Sequence, residues 1–245
     1  MKGVDRACDG IDRRPRLEPL TNVTPKPLLS VAEGVRLCDW TLAALKRAGI
    51  TDVVMNTAHL PQAFEALPVQ LAPRGLNLQL SREAPNHSLA LESLGGIVRA
   101  LPFLTDNGRD LSPFVVIAGD IVHNYDFTRL FERAWEIEAG RYDVFLVAVP
   151  NPPFHPTGDL TVTDEGRVSL DGAHAHTYGC ILLVNPAIFA GLAPVWSKLF
   201  PWLWGFARQG RMRGEVFTGF WDNVGTAAQL EALKQNTQAL TWARY

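Results

Sequence analysis

Short apolar, β-branched runs that alternate with helix-like segments constrain the fold more than any other feature of this sequence. The strand-like runs are residues 52–56, 76–80, 114–118 and 144–149. The last two are apolar throughout, as strands covered on both faces of a parallel sheet are. Strands and helices at this spacing predict βαβ units in a doubly wound, mostly parallel, Rossmann-like sheet of an α/β protein.

Two segments carry a helical pattern. Residues 37–48 stop at Gly49, which is a good C-cap signal. Residues 126–139 begin at Asp126, a candidate N-cap. The side chains that this second helix is predicted to turn toward a core are Leu130, Phe131 and Trp135.

Composition and charge exclude several classes of protein. A chain of 245 residues that is 47% hydrophobic can bury one substantial core. Its formal net charge of −2 lacks the basic excess that nucleic-acid binding needs, and no charge block suggests a membrane surface. Three dispersed cysteines without CxxC spacing and the absence of an apolar leader predict a cytoplasmic protein.

The chain changes character near residue 150. A Pro-rich stretch at 151–156 is followed by a hairpin signal at 164–166. We expect one domain over residues 1–245, with a nucleotide-binding part at 16–150 and a small substrate-facing, sugar-binding lobe at 151–245. Ligands of doubly wound sheets bind at the strand C-termini, so the residues after each strand are the candidate site.

The loop PLTNVTPKPLL at residues 19–29 places Lys26 between two prolines. Prolines fix φ and so lower the entropy lost in holding a lysine where it meets phosphate oxygens. A solvated surface lysine is the alternative that the segment alone favours. The loop, however, resembles the P-x-T-x-x-x-P-K-P signature of sugar-1-phosphate nucleotidyltransferases, in which the lysine contacts phosphates at the reacting centre.

The resemblance continues in order along the chain, closest to the branch of bacterial N-acetylmuramate α-1-phosphate uridylyltransferases of peptidoglycan recycling. It implies a transferase that uses UTP and a sugar 1-phosphate and depends on Mg²⁺. Six segments carry this resemblance, and each is a weak signal alone, but they occur in the correct order. They are VMNTAHL (54–60), LESLGGI (91–97), FVVIAGDIVHNYDF (114–127), VPNPPFHPTGDL (149–160), TYGCILL (177–183) and GFWDNVGTAAQLEAL (219–233).

Asp120 and Asn223 are the candidate magnesium ligands. Gly119 and Asp120 end a buried strand, where a carboxylate can hold Mg²⁺ against triphosphate oxygens. Capping of the next turn is the alternative role of Asp120. The resemblance also implies a ligand in the W-x-D-x-G-T motif, where this chain has Asn223, with Asp222 as its neighbour. An amide oxygen can ligate Mg²⁺ but does not neutralise its charge.

The nucleoside end is predicted around two glycines. Gly95 and Gly96 permit close approach of the backbone to a base or phosphate, with a helix N-terminus expected near Ile97. An ordinary turn is the alternative. The resemblance further implies that side chains meet a uracil edge, although capping or loop hydrogen bonding explains them equally well. These side chains are Asn56, Glu92 and Ser93.

The resemblance also implies where the sugar binds. Gly158 and Asp159 match positions that approach sugar hydroxyls, and Gly179 and Glu215 match positions near the sugar. A turn-initiating aspartate and a solvated glutamate are the alternatives. The six histidines lack transition-metal spacing, and Trp196, Trp202 and Trp204 are predicted to pack rather than to recognise a ligand.

The likeness fails at the N-terminus. Arg16 matches the phosphate-binding arginine of L-A-A-G-x-G-x-R-M-x-P-L-T, but Asp12 and Arg14 stand at its glycine positions. Side chains there obstruct a backbone that wraps a triphosphate. Residues 4–9 also carry three charges, which is unlike a central strand.

Two explanations for this segment stay open: drift toward a non-catalytic protein, or a frame or start-site change affecting about the first fifteen residues. A non-catalytic sugar-nucleotide-binding homologue and a nucleotidyltransferase for another sugar 1-phosphate are the alternatives to the uridylyltransferase.

Overall fold

The structure is a computed structural model that describes residues 17–83 and 90–245, together with the backbone of residues 3–6. Its strands are β1 (Gly3–Arg6), β2 (Ser30–Ala32), β3 (Val35–Arg36), β4 (Asp52–Thr57), β5 (Asn77–Arg82), β6 (Phe114–Ala118), β7 (Ile121–His123), β8 (Val144–Pro150), β9 (Thr161–Val162), β10 (Val168–Ser169), β11 (His176–Val184), β12 (Met212–Val216) and β13 (Trp221–Asn223). Its helices are α1 (Asp39–Arg47), α2 (Leu67–Leu71), α3 (Glu92–Leu104), α4 (Leu130–Glu138), α5 (Leu199–Arg208), α6 (Ala227–Gln235) and α7 (Thr237–Trp242).

Seven strands form one sheet in the order β12-β8-β11-β6-β1-β4-β5. All neighbours are parallel except β11, which runs antiparallel to both β6 and β8. The small pairs β2–β3, β9–β10 and β7–β13 lie outside this sheet. The prediction of a doubly wound, mostly parallel α/β sheet is therefore confirmed, and so is the hairpin signal at 164–166, which joins β9 to β10.

Both faces of the sheet are covered by helices. Along β6, Val115 and Ile117 pack in the core under α1, α2 and α4, whereas Phe114 and Val116 pack in the core under α3 and α5. Because side chains of a strand alternate between the two faces, a strand covered on both sides has no polar face. This explains why residues 114–118 and 144–149 are apolar throughout.

The first strand occupies the centre of the sheet. Backbone pairing joins Gly3–Arg6 in parallel to β4 on one side and to β6 on the other. The charge pattern of residues 4–9 argues against a central strand, and for residues 3–6 that expectation is wrong. Main-chain hydrogen bonding to two neighbours fixes a strand here despite its charges.

The caps of the two predicted helices are confirmed. Gly49 follows α1 with φ +77°, and Ile50 N–H donates to Leu45 O at 2.9 Å, which closes the helix end. The Asp126 side chain accepts from Thr128 N–H and caps the short 3₁₀ turn that leads into α4. Both ends therefore follow from local sequence.

The predicted burial on α4 is only partly right. Leu130 is buried as predicted, but Phe131 is 45% exposed and Trp135 is 58% exposed. The helix buries Leu130 and Ile137, seven residues apart, and the i,i+4 pair Phe131 and Trp135 lies on another face. The Arg141 guanidinium lies 4.9 Å from the Trp135 ring centre, so this ring is covered by a cation rather than by the core.

The predicted tryptophan packing also holds only in part. Trp202 and Trp204 pack against the core beneath α5, whereas Trp196 is 59% exposed on the loop before that helix. Within the described residues, no helix combines the length and apolarity that crossing a membrane requires.

Candidate functional site

Lys26, Asp120 and Asn223 meet at the C-terminal edge of the sheet, although they are distant in sequence. The Lys26 ammonium lies 2.7 Å from Asp120 Oδ2 and 3.4 Å from Asn223 Oδ1. Lys26 begins a 3₁₀ turn between Pro25 and the buried Pro27, which restricts its backbone. We call these three residues the lysine cluster.

Local structure explains this convergence. Asp120 is 6% exposed and follows Gly119 in the tight turn between β6 and β7. Asn223 ends β13, which pairs with β7 so that Asn223 lies opposite Ile121. The neighbouring Asp222 accepts from Gln229 Nε2 at 3.2 Å, and burial raises the pKa of its carboxyl group. The Asp120 carboxylate and the Asn223 amide oxygen thus both contact the Lys26 ammonium.

A second polar group, which we call the amide pair, consists of Asn56 and Glu83. Asn56, at the end of β4, donates from Nδ2 to Glu83 Oε1 at 3.4 Å, and Glu83 Oε2 accepts from Leu91 N–H at 3.0 Å. A Cβ at Gly96 would overlap Glu83 Oε1 and lie 2.7 Å from Asn56 Nδ2. Gly96 therefore gives room to the amide pair.

The predicted start of the glycine-containing helix is wrong. Helix α3 begins at Glu92, which has φ +61°, so Gly95 and Gly96 lie within its first turns. Ser197 O accepts from Leu94 N–H at 2.9 Å and from Gly95 N–H at 3.4 Å. Protein atoms occupy these N-terminal donors, and the half-buried Ser93 lies in the same turn.

The predicted sugar-binding positions fall into two places. Gly158 has φ +61° and packs against Asn151, while Asp159 accepts from Tyr178 N–H at 2.9 Å and pairs with His155 at 2.9 Å. Gly179 O, in β11, accepts from Trp221 Nε1 at 2.9 Å. Because β13 carries both Trp221 and Asn223, it connects this region with the lysine cluster.

Glu215 lies on β12, opposite Val147 of β8. Its carboxylate accepts from the Tyr125 hydroxyl at 2.7 Å and from Arg129 Nη2 at 2.6 Å. Burial, followed by the Glu215 charge, raises the pKa of Tyr125 above its ordinary value. The alternative of a solvated glutamate is wrong, since both carboxylate oxygens are hydrogen-bonded. A cavity of about 730 Å³ adjoins Glu215, between α4 and the β9–β10 turn, and neither Lys26 nor Asp120 lines it.

Arg16 and residues 10–15 lie outside the described residues. Sequence reasoning missed Glu83 and Arg129. Glu83 had the same signal as Asp120, a carboxylate directly after a strand, whereas Arg129 had no signal because its partner Glu215 is 86 residues away. Among residues 17–83 and 90–245, no group of three or more His, Cys, Asp or Glu side chains is arranged around a metal position.

The fold and the family comparison agree on the class of protein. The nucleotidyl transferase family model matches residues 15–169, and the chain belongs to this family. The match begins just where the unusual N-terminal segment ends.

Individual proteins of this family resemble the chain over most of its length. The chain is 36% identical over 222 residues to N-acetylmuramate alpha-1-phosphate uridylyltransferase of Neisseria meningitidis, covering 89% of this chain and 92% of that protein. It is 30% identical to the protein of the same name from Caulobacter vibrioides, covering 86% and 87%. A mannose-1-phosphate guanyltransferase of Schizosaccharomyces pombe is 25% identical over 86% of this chain but only 58% of that protein.

Among solved structures, HddC from Yersinia pseudotuberculosis superposes with a TM-score of 0.74 at 16% identity, covering 96% of this chain and 99% of that one. At this identity the likeness shows the fold alone. The family model and the Neisseria relative show that the chain belongs to the sugar-phosphate nucleotidyltransferases.

Proposed function

We propose that the protein joins UTP and N-acetylmuramic acid α-1-phosphate to form UDP-N-acetylmuramic acid and pyrophosphate, a step of peptidoglycan recycling. The convergence of Lys26, Asp120 and Asn223 at the sheet edge carries this proposal. The names of the Neisseria and Caulobacter relatives favour uridylyl transfer and muramic acid over guanylyl transfer and mannose.

The reaction requires alignment and charge neutralisation. A sugar-phosphate oxygen attacks the α-phosphorus of UTP in line, the new P–O bond forms, and the bond to the pyrophosphate oxygen breaks with its electron pair. No proton must move, so catalysis rests on positioning and on electrostatic stabilisation. Lys26 neutralises charge on the phosphates in this proposal, and Arg16 is assigned the same role from sequence alone.

The lysine cluster has donors that suit magnesium. Asp120 Oδ2 and Asn223 Oδ1 already converge on a cation, the Lys26 ammonium, and oxygen atoms are the ligands Mg²⁺ prefers. Asp120 and Asn223 would therefore hold Mg²⁺, with substrate phosphates completing its coordination. The ion would neutralise phosphate charge.

The remaining candidates are assigned to the two substrates. Residues 16–150 would contribute the nucleotide end and residues 151–245 the sugar end. The proposed nucleoside contacts are Asn56, Glu92, Ser93, Gly95, Gly96 and Gly119. The proposed sugar contacts are Gly158, Asp159 and Gly179, and Glu215 would act there by holding Arg129, since its own oxygens are hydrogen-bonded.

The test is pyrophosphate release with UTP or GTP, each offered with N-acetylmuramic acid 1-phosphate or mannose 1-phosphate. We expect release to be fastest with UTP and the muramic acid phosphate, and to require Mg²⁺. Fastest release with GTP and mannose 1-phosphate would refute the proposed substrates while retaining the family activity.

One observation favours a second candidate. Asp12 and Arg14 stand at positions where the family has glycine, which argues for a binding protein without turnover. That candidate predicts binding of UDP-N-acetylmuramic acid, measured by calorimetry, together with no pyrophosphate release under any substrate pair.

A further inference from the structure

Three polar atoms are buried without a hydrogen-bond partner at the C-terminal ends of β4 and β5. They are Asn56 Oδ1, Thr57 Oγ1 and Ser81 Oγ, and no partner for any of them is found among the described residues. Asn56 is 1% exposed and Ser81 is 2% exposed, and they lie opposite each other in the strand pairing. A buried acceptor without a donor costs free energy, so the Asn56 amide oxygen points to a ligand that supplies the missing donor.

Glu83 determines which atom of Asn56 remains open. A carboxylate can only accept hydrogen bonds, so the Asn56 amide must turn its NH₂ group toward Glu83 Oε1. The amide oxygen then necessarily lies on the other side, where it has no partner. The orientation of this amide is thus fixed by chemistry rather than chosen between two equivalent flips.

The second oxygen of the Glu83 carboxylate is bound by the main chain of Leu91. The Leu91 N–H donates to Glu83 Oε2 at 3.0 Å, so the side-chain atom that faces this N–H must be an acceptor oxygen. A glutamine at position 83 would have to give its oxygen to Leu91 and place its NH₂ group against Asn56. The Asn56 amide would then flip and present a donor in place of an acceptor.

We infer that Glu83 is a positioning residue that selects the base, because it holds Asn56 Oδ1 as an acceptor for an imide N–H. This inference rests on the proposed function, in which Asn56 contacts the nucleoside. Uracil has an N–H at its N3 position, whereas cytosine has a lone pair there. The amide pair would therefore accept uridine and reject cytidine nucleotides.

The experiment measures dissociation constants of UTP and CTP by calorimetry for four chains: parental, Glu83→Gln, Glu83→Gln with Asn56→Asp, and Asp52→Asn. We expect the parental chain to prefer UTP by about tenfold or more, as one buried donor–acceptor match implies. Glu83→Gln should lose or invert this preference. The double variant should regain it, because an aspartate at position 56 accepts from the introduced glutamine amide and still presents an acceptor to the base.

Asp52→Asn is the matched control. Asp52 accepts from Asn77 Nδ2 at 2.8 Å and so forms a carboxylate–amide pair on the same two strands, but at their N-terminal ends. Its UTP-to-CTP ratio should equal the parental ratio. Melting temperatures of all variants report whether the fold is kept.

Two results would overturn the inference. If Glu83→Gln weakens UTP and CTP binding equally, Glu83 is merely structural, and the uridylyl assignment stands by itself. If the parental chain does not prefer UTP over CTP, both the inference and the assignment of UTP fail. If the preference for UTP over CTP is lost in Glu83→Gln and regained in the double variant, a general loss of stability cannot explain the loss.

Discussion

The main-chain carbonyl of Val195 lies against Gly95 of α3, where any side chain would overlap it. The next residues continue this contact, since Ser197 N–H donates to Leu91 O at 3.0 Å and Ser197 O accepts from Leu94 N–H. A loop from the second half of the chain thus closes the first turn of α3, beside the amide pair. Gly95 is required for this contact between protein segments.

Gly95→Ala should therefore destabilise the protein although alanine favours helices. The new methyl group overlaps the Val195 carbonyl, and overpacking costs about 1–3 kcal/mol, against a gain of up to about 1 kcal/mol in helix propensity. The free energy of unfolding from urea denaturation measures the balance.

Gly205→Ala is the control for that substitution. Gly205 lies inside α5, and an added Cβ there meets no atom within 4 Å. Alanine should stabilise the protein by about 0.5–1 kcal/mol, since only the propensity gain remains. Equal effects of the two substitutions would contradict the role assigned to Gly95.

Strands β6 and β8 follow from the sequence because their signal is local: residues 114–118 and 144–149 are apolar throughout. Asp120 comes two residues after β6, whereas the roles of Lys26 and Asn223 were expected from the resemblance to the family rather than from a local pattern. The buried face of α4 could not be predicted from the sequence, because it depends on which distant segments pack against the helix. The partners of Glu215, Tyr125 and Arg129, could not be predicted either, because they are far from it in sequence. The start of α3 was mispredicted for a similar reason: glycines inside a helix indicate a turn locally, whereas Val195 and Glu83 require them here.

Lys26→Ala and Asp120→Ala should each abolish detectable UDP-sugar formation without unfolding the protein. Loss of one preorganised charge contact costs about 10²–10³ in rate, and the two residues contact each other at 2.7 Å. Initial rates of pyrophosphate release and melting temperatures check this. Lys234→Ala is the matched control, because Lys234 pairs with Glu231 on an exposed surface of α6 and should keep parental turnover. Near-parental rates in both site variants would show that the lysine cluster is not catalytic.

His123 should make stability depend on pH. Its Nδ1 accepts from Tyr125 N–H, and burial together with the charge of Arg47 lowers its pKa from 6.5 to about 3. Since the folded state resists protonation, the stabilisation is present above pH 6.5 and is lost as pH falls toward 3. One such group should cost about 2 kcal/mol between pH 7 and pH 5.

His123→Asn tests this contribution. Asparagine keeps an acceptor near the Nδ1 position but does not titrate, so the loss of stability between pH 7 and pH 5 should shrink by about 2 kcal/mol. Urea denaturation at both pH values gives the difference directly. A variant with the parental pH dependence would mean that other groups account for it.

The N-terminal segment decides between an enzyme and a binding protein. Asp12 and Arg14 stand where the resemblance implies glycines, side chains at those positions would obstruct backbone donors to the triphosphate, and each lost donor can cost about 10²–10³ in rate. The chain with its present residues 4–15 should therefore turn over slowly, while binding UDP-sugar through its other motifs. Replacing residues 4–15 with an apolar strand and a GxG loop, joined at Arg16, should restore pyrophosphate release. It should also raise thermal stability, because residues 3–6 lie between β4 and β6, where apolar side chains gain burial.

Full activity of the present chain would show that the glycine loop is dispensable here, whereas a stable but inactive repaired chain would indicate a binding protein or a different substrate.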